Sequence, residues 1–202
     1  MLEGNLGLQL LISRNPRQSI KILKNQLMST LPYIGKQFTI SFDLLFAKWP
    51  KKGYESVMHF TLGRDASVYG DRAPALWVTN KKKLVVSMAI TGNKNKWFEI
   101  SGLRTSYWNN VTIKQLATTQ VAPFKHMFEV HLNGKRAVYV LNQTPRKFRN
   151  IKVYVGDKWY PPLGVSSGGW IRNLNIMSGG ETTAGQRQYP GISLSECSRQ
   201  SS

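Results

Sequence analysis

The chain has 202 residues and a formal net charge of +18, because 28 lysines and arginines stand against 10 aspartates and glutamates. Hydrophobic residues make up 41% of the chain, which is enough to build a core, so the composition excludes a globally disordered protein. The length fits one domain with tails and is short for two. The charge favours an acidic partner, such as nucleic acid, an anionic membrane or an acidic polysaccharide.

Residues 1–24 are predicted to form an irregular basic leader, since Pro16 interrupts any helix there. The apolar run that starts at Leu6 follows Glu3, has no basic stretch before it and lacks a small-residue cleavage site before Arg14. No signal peptide is therefore predicted in this chain. No stretch approaches the ~20 apolar residues that a transmembrane segment needs.

After this leader, apolar residues begin to alternate with other residues along the chain. Phe38, Ile40, Phe42, Leu44 and Phe46 recur at every second position, which predicts a half-buried strand. Short runs rich in branched and aromatic residues follow, separated by Gly, Pro, Asn or Lys clusters. These runs predict strands over 56–62, 75–79, 84–91, 96–100, 108–116, 124–132, 136–141, 150–155 and 170–177.

About ten strands without intervening helices must bury their apolar faces on one another, so the sequence predicts an all-β, antiparallel two-sheet sandwich over 25–178. Asn133-Gly134 is the sharpest turn signal, because a type I′ hairpin turn needs positive φ at both central residues. Residues 179–202 are mostly polar and are predicted to form a flexible tail. That tail holds Cys197, the single cysteine, so no intrachain disulfide is possible.

Several separated motifs carry a resemblance. They are SVMHFTLG at 56–63, YGDRAP at 69–74, ALWV at 75–78, FEVHLNGKRAVY at 128–139, VYVGDKWYPP at 153–162 and GWIRNLNI at 169–176. In this order they resemble the laminin-G-like/concanavalin-A-like lectin superfamily, and are most similar to domains from marine invertebrate extracellular proteins. The resemblance implies a jelly-roll sandwich and extracellular recognition, and it supplies no ligand. The chain departs from the pattern at Lys158, where a small residue or proline is expected, and in its many lysines.

The motifs also supply candidate ligand-binding residues, namely Tyr69, Asp71, Arg72, Lys94, Trp97, Trp159 and Tyr160. The Tyr-Gly-Asp-Arg segment is either a rigid loop that fixes register or a rim that faces a ligand, with Asp71 capping a turn and Arg72 pairing or stacking at the sheet edge. The Trp-Tyr-Pro-Pro segment that contains Trp159 and Tyr160 is either a stiff corner packed on the core or an aromatic platform.

Catalysis is not expected. Glycan hydrolysis uses two closely spaced carboxylates, and the ten acidic residues contain no pair at i, i+2 or i, i+4. His126 and His131 have opposite parity on one predicted strand, which argues against a shared metal. Laminin-G-like domains often bind calcium at the rim, and Asp65, Asp71 and Asp157 are the plausible ligands here. No metal or other cofactor is expected otherwise.

Basic residues cluster at 48–52, 81–83, 94–96 and 146–152. At turns and strand ends such clusters keep a protein soluble and blunt sheet edges. Alternatively, two or three of them merge at one rim and hold an anionic glycan, with Trp49, Trp97 and Trp159 available to stack on sugar rings. Asn110 and Asn142 begin N-glycosylation tripeptides and are both expected to be accessible.

The sequence thus predicts a non-catalytic recognition or adhesion domain outside the cell, part of a longer secreted or surface protein. Its expected partners are glycans, acidic polysaccharides among them, or an extracellular matrix protein. A generic binder of polyanions or nucleic acid is the alternative, but no RRM, KH, zinc-finger or OB signature is present, so no specific nucleic-acid partner is expected. A glycan-cleaving enzyme on the same fold is a third, less favoured reading.

Overall fold

The computed structural model describes residues 8–13, 18–118, 125–165 and 168–179, and its regular elements there are all β-strands. They are β1 (Leu8–Ser13), β2 (Ile20–Lys21), β3 (Leu27–Ile34), β4 (Phe38–Phe46), β5 (Tyr54–Thr61), β6 (Ala75–Thr79), β7 (Leu84–Ile90), β8 (Asn93–Ile100), β9 (Asn109–Ala117), β10 (His126–Leu132), β11 (Lys135–Asn142), β12 (Phe148–Tyr154) and β13 (Gly169–Gly179).

These strands form two antiparallel sheets that pack face to face as a jelly-roll sandwich. The seven-stranded sheet has the order β1-β13-β4-β9-β10-β11, with β2 also paired to β13. The six-stranded sheet has the order β3-β12-β5-β6-β7-β8. The predicted all-β, two-sheet fold class is confirmed.

The core lies between the sheets and follows directly from alternation. Phe38, Ile40, Phe42, Leu44 and Phe46 of β4 are each fully buried, as their spacing predicts. Because successive strand residues point to opposite sides of a sheet, the intervening residues of β4 face outward on the seven-stranded sheet.

The predicted hairpin is present. Asn133 and Gly134 have φ angles of 52° and 78° and join β10 to β11. Positive φ at both positions is the requirement of a type I′ turn. The turn sets the register of this edge of the seven-stranded sheet, in which Leu132 pairs with Lys135.

The structure departs from the predicted irregular leader. Over residues 8–13 the chain forms β1, and β2 follows at Ile20–Lys21; both pair with β13, which is long enough to accept them in turn. Ile22 is 3% exposed and belongs to the core. A proline between two segments prevents a continuous helix, but it does not prevent a short strand on either side of it. Pro16 itself lies outside the described residues.

Strand β3 was also absent from the predicted elements. Its sequence, LMSTLPYI, alternates poorly and contains Pro32, which argues against a central strand. The strand forms the edge of the six-stranded sheet, where a missing N–H can face solvent. Leu31 and Ile34 are its buried residues.

The predicted polar tail lies outside the described residues except for Gly179, which ends β13. Cys197 lies outside them as well. In the described part of the chain, no helix has the length and apolar character needed to cross a membrane.

Candidate functional site: an aromatic pocket on the six-stranded sheet

The outer face of the six-stranded sheet carries a second, small aromatic cluster. Leu76 and Val78 of β6 point into the core, so Trp77 points to the opposite side. There it packs with Ala75 and Val85, and with the partly buried rings of Tyr54 and Tyr160. The centres of the Trp77 and Tyr160 rings lie 5.3 Å apart in an edge-to-face arrangement.

Two loops bring residues to this face. The loop between β5 and β6 reaches β8, where Lys94 Nζ donates to the Ser67 carbonyl at 2.6 Å and Asn95 Nδ2 donates to the Ala66 carbonyl at 2.9 Å. The loop between β12 and β13 returns to β5, where the Ser56 N–H donates to the Pro161 carbonyl at 2.7 Å. Both loops are therefore tied to strands of the same sheet.

A buried histidine–aspartate pair joins the two loops. His59 Nδ1 lies 2.9 Å from Asp157 Oδ2, and neither side chain is exposed to solvent. His59 Nε2 lies 2.6 Å from the Asp71 carbonyl oxygen in the other loop. Each ring nitrogen thus has an oxygen partner, one from each loop, so the imidazole ring of His59 bridges the two loops.

Asp157 also fixes the backbone beyond it. Its Oδ1 accepts hydrogen bonds from the N–H groups of Trp159 at 2.9 Å and Tyr160 at 2.8 Å, and its Oδ2 accepts one from Ser56 Oγ. Burial alone raises the pKa of Asp157. The hydrogen bond and charge of His59, the Tyr160 N–H and the Ser56 hydroxyl outweigh burial and lower that pKa below its ordinary value of 3.8.

Asp71 has a similar structural role in the other loop. Its Oδ2 accepts hydrogen bonds from the N–H groups of Ser67 and Val68, at 2.7 and 2.8 Å, and the residue is fully buried. The cap predicted for Asp71 is therefore present, but this side chain does not face solvent. The next residue, Arg72, emerges from the capped turn toward Trp77.

Five side chains line the resulting pocket, whose volume is about 270 Å³ including solvent at its mouth: Tyr54, Arg72, Trp77, Trp97 and Tyr160. The ring centres of Tyr54 and Trp97 are 6.2 Å apart with an interplanar angle of 22°, so they form one continuous wall. Trp97 is 52% exposed and forms the outer part of that wall.

Arg72 supplies the positive charge of the pocket. Its guanidinium carbon lies 4.8 Å from the centre of the Trp77 ring. Nη2 donates to Asp65 Oδ1 at 3.0 Å and lies 3.4 Å from the Tyr160 hydroxyl. Within the described residues Nη1 has no hydrogen-bond partner, so part of the guanidinium remains available to a ligand.

Two further polar groups of the pocket residues are turned to the protein. The Tyr160 hydroxyl donates to Asp65 Oδ2 at 3.2 Å, and burial, followed by the nearby charge of Asp65, raises the pKa of Tyr160. Trp77 is 2% exposed, and its buried indole N–H has no hydrogen-bond partner within the described part of the chain. Both residues therefore line the pocket with their rings.

The structure thus brings together three of the predicted site residues, Arg72, Trp97 and Tyr160. Sequence reasoning missed Tyr54 and Trp77. The parity of Trp77, opposite to its buried neighbours on a strand, was the signal available for it. Tyr54 stands at the start of its strand and offered no comparable signal.

The other predicted residues support the pocket from outside. Tyr69 donates its hydroxyl to the Gly92 carbonyl and lies under the Arg146 guanidinium, 3.8 Å from ring centre to guanidinium carbon. Lys94 ties the loop down, as described above. Trp159 is half-buried against His59, with ring centres 5.0 Å apart, which corresponds to the packed corner rather than to an open platform.

The predicted calcium ligands do not converge. Asp65 pairs with Arg72, Asp157 pairs with His59, and Asp71 caps its own turn. Across residues 8–13, 18–118, 125–165 and 168–179, no group of three or more His, Cys, Asp or Glu side chains is placed to hold a metal ion.

The two glycosylation candidates differ sharply. Asn110 is exposed. Asn142 is 1% exposed, so the expectation that it is accessible is wrong. Its Nδ2 donates to the Ala89 carbonyl and to Gln115 Oε1, while its Oδ1 accepts from the backbone of Thr91. The side-chain amide of an asparagine at a strand end can thus be fully hydrogen-bonded to neighbouring strands. The tripeptide pattern carries no information about such contacts.

Expression through a secretory pathway should therefore yield protein glycosylated at Asn110 and not at Asn142. A glycan on Asn142 Nδ2 would break its buried hydrogen bonds. Mass spectrometry of intact protein should show one occupied site, and Asn110→Gln should remove all of the added mass. Residual glycan on the folded Asn110→Gln variant would contradict the buried position of Asn142.

No family model and no curated protein matches this chain. Among solved structures, it is similar to the Ruminococcus gnavus IT-sialidase CBM40 bound to α2,3 sialyllactose, with a TM-score of 0.51, 13% identity and coverage of 85% of this chain and 93% of that one. It is also similar to the botulinum neurotoxin serotype D ligand binding domain in complex with N-acetylneuraminic acid, with a TM-score of 0.54, 13% identity and coverage of 87% of this chain and 44% of that one.

A structure of the receptor binding domain of botulinum neurotoxin D gives a TM-score of 0.54 at 14% identity, over 88% of this chain and 43% of that one. The chain thus spans less than half the length of the toxin domains that it matches. At these identities the similarity shows a shared fold, which is a two-sheet β-sandwich.

Proposed function

We propose that this domain is a non-catalytic carbohydrate-recognition module that acts outside the cell and binds an acidic sugar in the pocket of Tyr54, Arg72, Trp77, Trp97 and Tyr160. The observation that carries the proposal is the combination of aromatic walls and an incompletely paired guanidinium in one pocket. It rests on the residues of this chain and is independent of any similarity.

The chemistry of a sugar matches each part of the pocket. The C–H faces of a pyranose ring pack against aromatic rings, and Tyr54, Trp77, Trp97 and Tyr160 supply such rings. A carboxylate on the sugar would meet Arg72, because charge-assisted hydrogen bonds are the stronger class.

Two further facts support this reading. The net charge of +18 raises the local concentration of anionic glycans. Sandwiches of similar fold have been crystallised with sialyllactose and N-acetylneuraminic acid, both acidic sugars. The same proposal includes kinship with laminin-G-like and concanavalin-A-like domains, among them those of marine invertebrates. It also includes a place in a longer secreted or surface protein, with glycans or matrix proteins as partners.

The hydrogen bonds of the carboxylates support the non-catalytic part of the proposal. In the described chain every carboxylate except the exposed Glu99 accepts a hydrogen bond from within the domain. Asp65, nearest the pocket, is held by Arg72 and by the Tyr160 hydroxyl. A pair of carboxylates engaged in this way is poorly suited to act as acid and base on a glycosidic bond.

A glycan array read at ~0.15 M and ~0.5 M salt, beside a single-stranded DNA of matched charge, tests the function. Saturable binding to particular acidic sugars that persists at high salt is expected, because buried contacts are screened less than exposed charges. An array on which no acidic sugar binds saturably at ~0.5 M salt would contradict the proposal. Turnover of any glycan on the array would refute its non-catalytic part.

A further inference from the structure

A second group of aromatic and arginine side chains lies on the opposite face of the sandwich. Asp43 of β4 stands between Phe42 and Leu44, which are both fully buried in the core, so it faces outward on the seven-stranded sheet. Arg172 of β13 contacts Asp43 and lies over the Trp108 ring, and Tyr107 precedes Trp108 in the loop before β9. Together with Arg104 these side chains are called the Trp108 patch.

Arg172 is held in place at one nitrogen only. Its Nε donates to Asp43 Oδ2 at 3.2 Å, and its guanidinium carbon lies 4.1 Å from the centre of the Trp108 ring. Asp43 is itself fixed by Asn110 Nδ2 and Asn173 Nδ2, at 3.1 and 2.6 Å. Neither Nη of Arg172 has a partner within the described residues, and its side chain is 36% exposed. A fixed guanidinium with two free nitrogens is a preformed fork for a carboxylate or sulfate.

The neighbouring loop is equally rigid. Asn109 is fully buried, and its side chain holds the Arg104 N–H at 2.8 Å, the Arg104 carbonyl at 2.8 Å and the Tyr107 carbonyl at 2.9 Å. Ser106 is tied to the Phe46 carbonyl at 2.8 Å. The backbone of the loop is therefore already ordered before a ligand binds, which lowers the entropy cost of binding. Its Arg104 guanidinium carbon lies 5.1 Å from the centre of the Tyr107 ring.

The surface beside the patch carries hydroxyl groups. On the next row of the sheet, Ser41 pairs with Thr112, and Asn175 pairs with Ser41. Neither the Ser41 nor the Thr112 hydroxyl has a hydrogen-bond partner in the described chain. A hydroxyl both donates and accepts, so these two groups can pair with the hydroxyls of a sugar.

We infer that the Trp108 patch is a second binding site, for a carboxylated or sulfated polysaccharide chain that lies across the outer face of the seven-stranded sheet. Arg104 and Arg172 bind its anionic groups, and Tyr107, 61% exposed, packs on a sugar ring. The site faces away from the pocket of the six-stranded sheet. It lies on an open sheet face, so it suits an internal stretch of polymer.

The test is calorimetric titration of bacterially produced, unglycosylated protein with a heparin-derived octasaccharide at ~0.15 M salt. Arg104→Ala with Arg172→Ala should weaken binding at least about tenfold, because each removes a charge-assisted contact. The matched control, Lys36→Ala with Lys125→Ala, removes two exposed charges at the other end of the same sheet and should change affinity less than about threefold. An equal loss in both double variants, or no loss in either, overturns the inference.

Arg72→Gln separates this site from the proposed pocket. In the Arg72→Gln background, Arg104→Ala with Arg172→Ala should still weaken octasaccharide binding at least about tenfold, because the patch and the pocket bind separately. If Arg72→Gln abolishes octasaccharide binding while the Arg104 and Arg172 variant retains it, the patch is not the site. A single-stranded DNA of equal charge should bind without dependence on the patch; an equal tenfold loss for DNA would overturn the polysaccharide assignment.

Discussion

Replacing Asp157 by alanine should lower the free energy of unfolding by about 3–5 kcal/mol, because removal of one partner from a buried ion pair leaves the other uncompensated. His59 would remain buried beside an empty position, 2.9 Å from where the carboxylate stood. The N–H groups of Trp159 and Tyr160 would lose their acceptor as well. Urea denaturation followed by tryptophan fluorescence measures the change.

The chain offers a matched control on its surface. His131 and Glu129 form the same kind of pair at 2.8 Å, but their side chains are 23% and 20% exposed. Glu129→Ala should cost at most about 1 kcal/mol, since solvent screens an exposed pair. If Asp157→Ala does not fold, the isosteric Asp157→Asn serves in its place. Equal effects at the two pairs would contradict the structural role assigned to the buried one.

The same pair gives a pH dependence of defined sign. A carboxylate whose pKa is lower in the folded state contributes stability that is complete above its unfolded pKa and is lost as pH falls through the folded value. For Asp157 the loss therefore lies below the ordinary value of 3.8. The wild-type protein should lose more stability below that pH than Asp157→Asn does, as measured by urea denaturation at stepwise lower pH.

Arg72→Gln should reduce affinity for the acidic sugar about 10- to 100-fold, because hydrogen bonds to charged groups contribute about 1.5–3 kcal/mol. The loss should be much smaller for the neutral counterpart of the same sugar, since only the carboxylate addresses the guanidinium. Titration calorimetry with a matched pair such as sialyllactose and lactose measures both numbers.

Arg64→Gln is the control for this prediction. Arg64 lies in the same loop, is exposed, and its replacement removes the same charge. An affinity unchanged within about threefold is expected, as screening limits the effect of an exposed charge. If Arg64→Gln weakens binding as much as Arg72→Gln, attraction depends on net charge and not on the pocket.

Much of the fold could be predicted because the alternation of apolar residues and the turn residues directly determine strands and hairpins. The alternation from Phe38 to Phe46 dictates which side of β4 is buried, and Asn133-Gly134 dictates one hairpin. The missed strands lacked a clear local pattern: β3 contains a proline that an edge strand tolerates, β1 reads LQLLIS without regular alternation, and β2 has only two residues. Each depends on a partner strand that lies far away in the chain.

The site was predictable only in part, because long-range contacts assemble it. His59 and Asp157 are 98 positions apart, and nothing in either neighbourhood indicates that they meet. Arg72, Trp97 and Tyr160 were each recognisable as candidates, but their convergence required the two loops that this pair joins. In the sequence Trp77 is simply one residue of a predicted strand. Its side chain lies on the opposite side of the sheet from those of Leu76 and Val78, which face the core.

The most direct test of the pocket follows the indole N–H resonance of Trp77 by NMR during titration with sialyllactose or a hyaluronan tetrasaccharide, with lactose as the neutral control. Trp77→Phe assigns the resonance. A saturable shift of that resonance with at least one acidic sugar, larger than with lactose and preserved at ~0.5 M salt, is the predicted result. A Trp77 resonance that does not move with either acidic sugar, or that moves equally with lactose, would contradict the account.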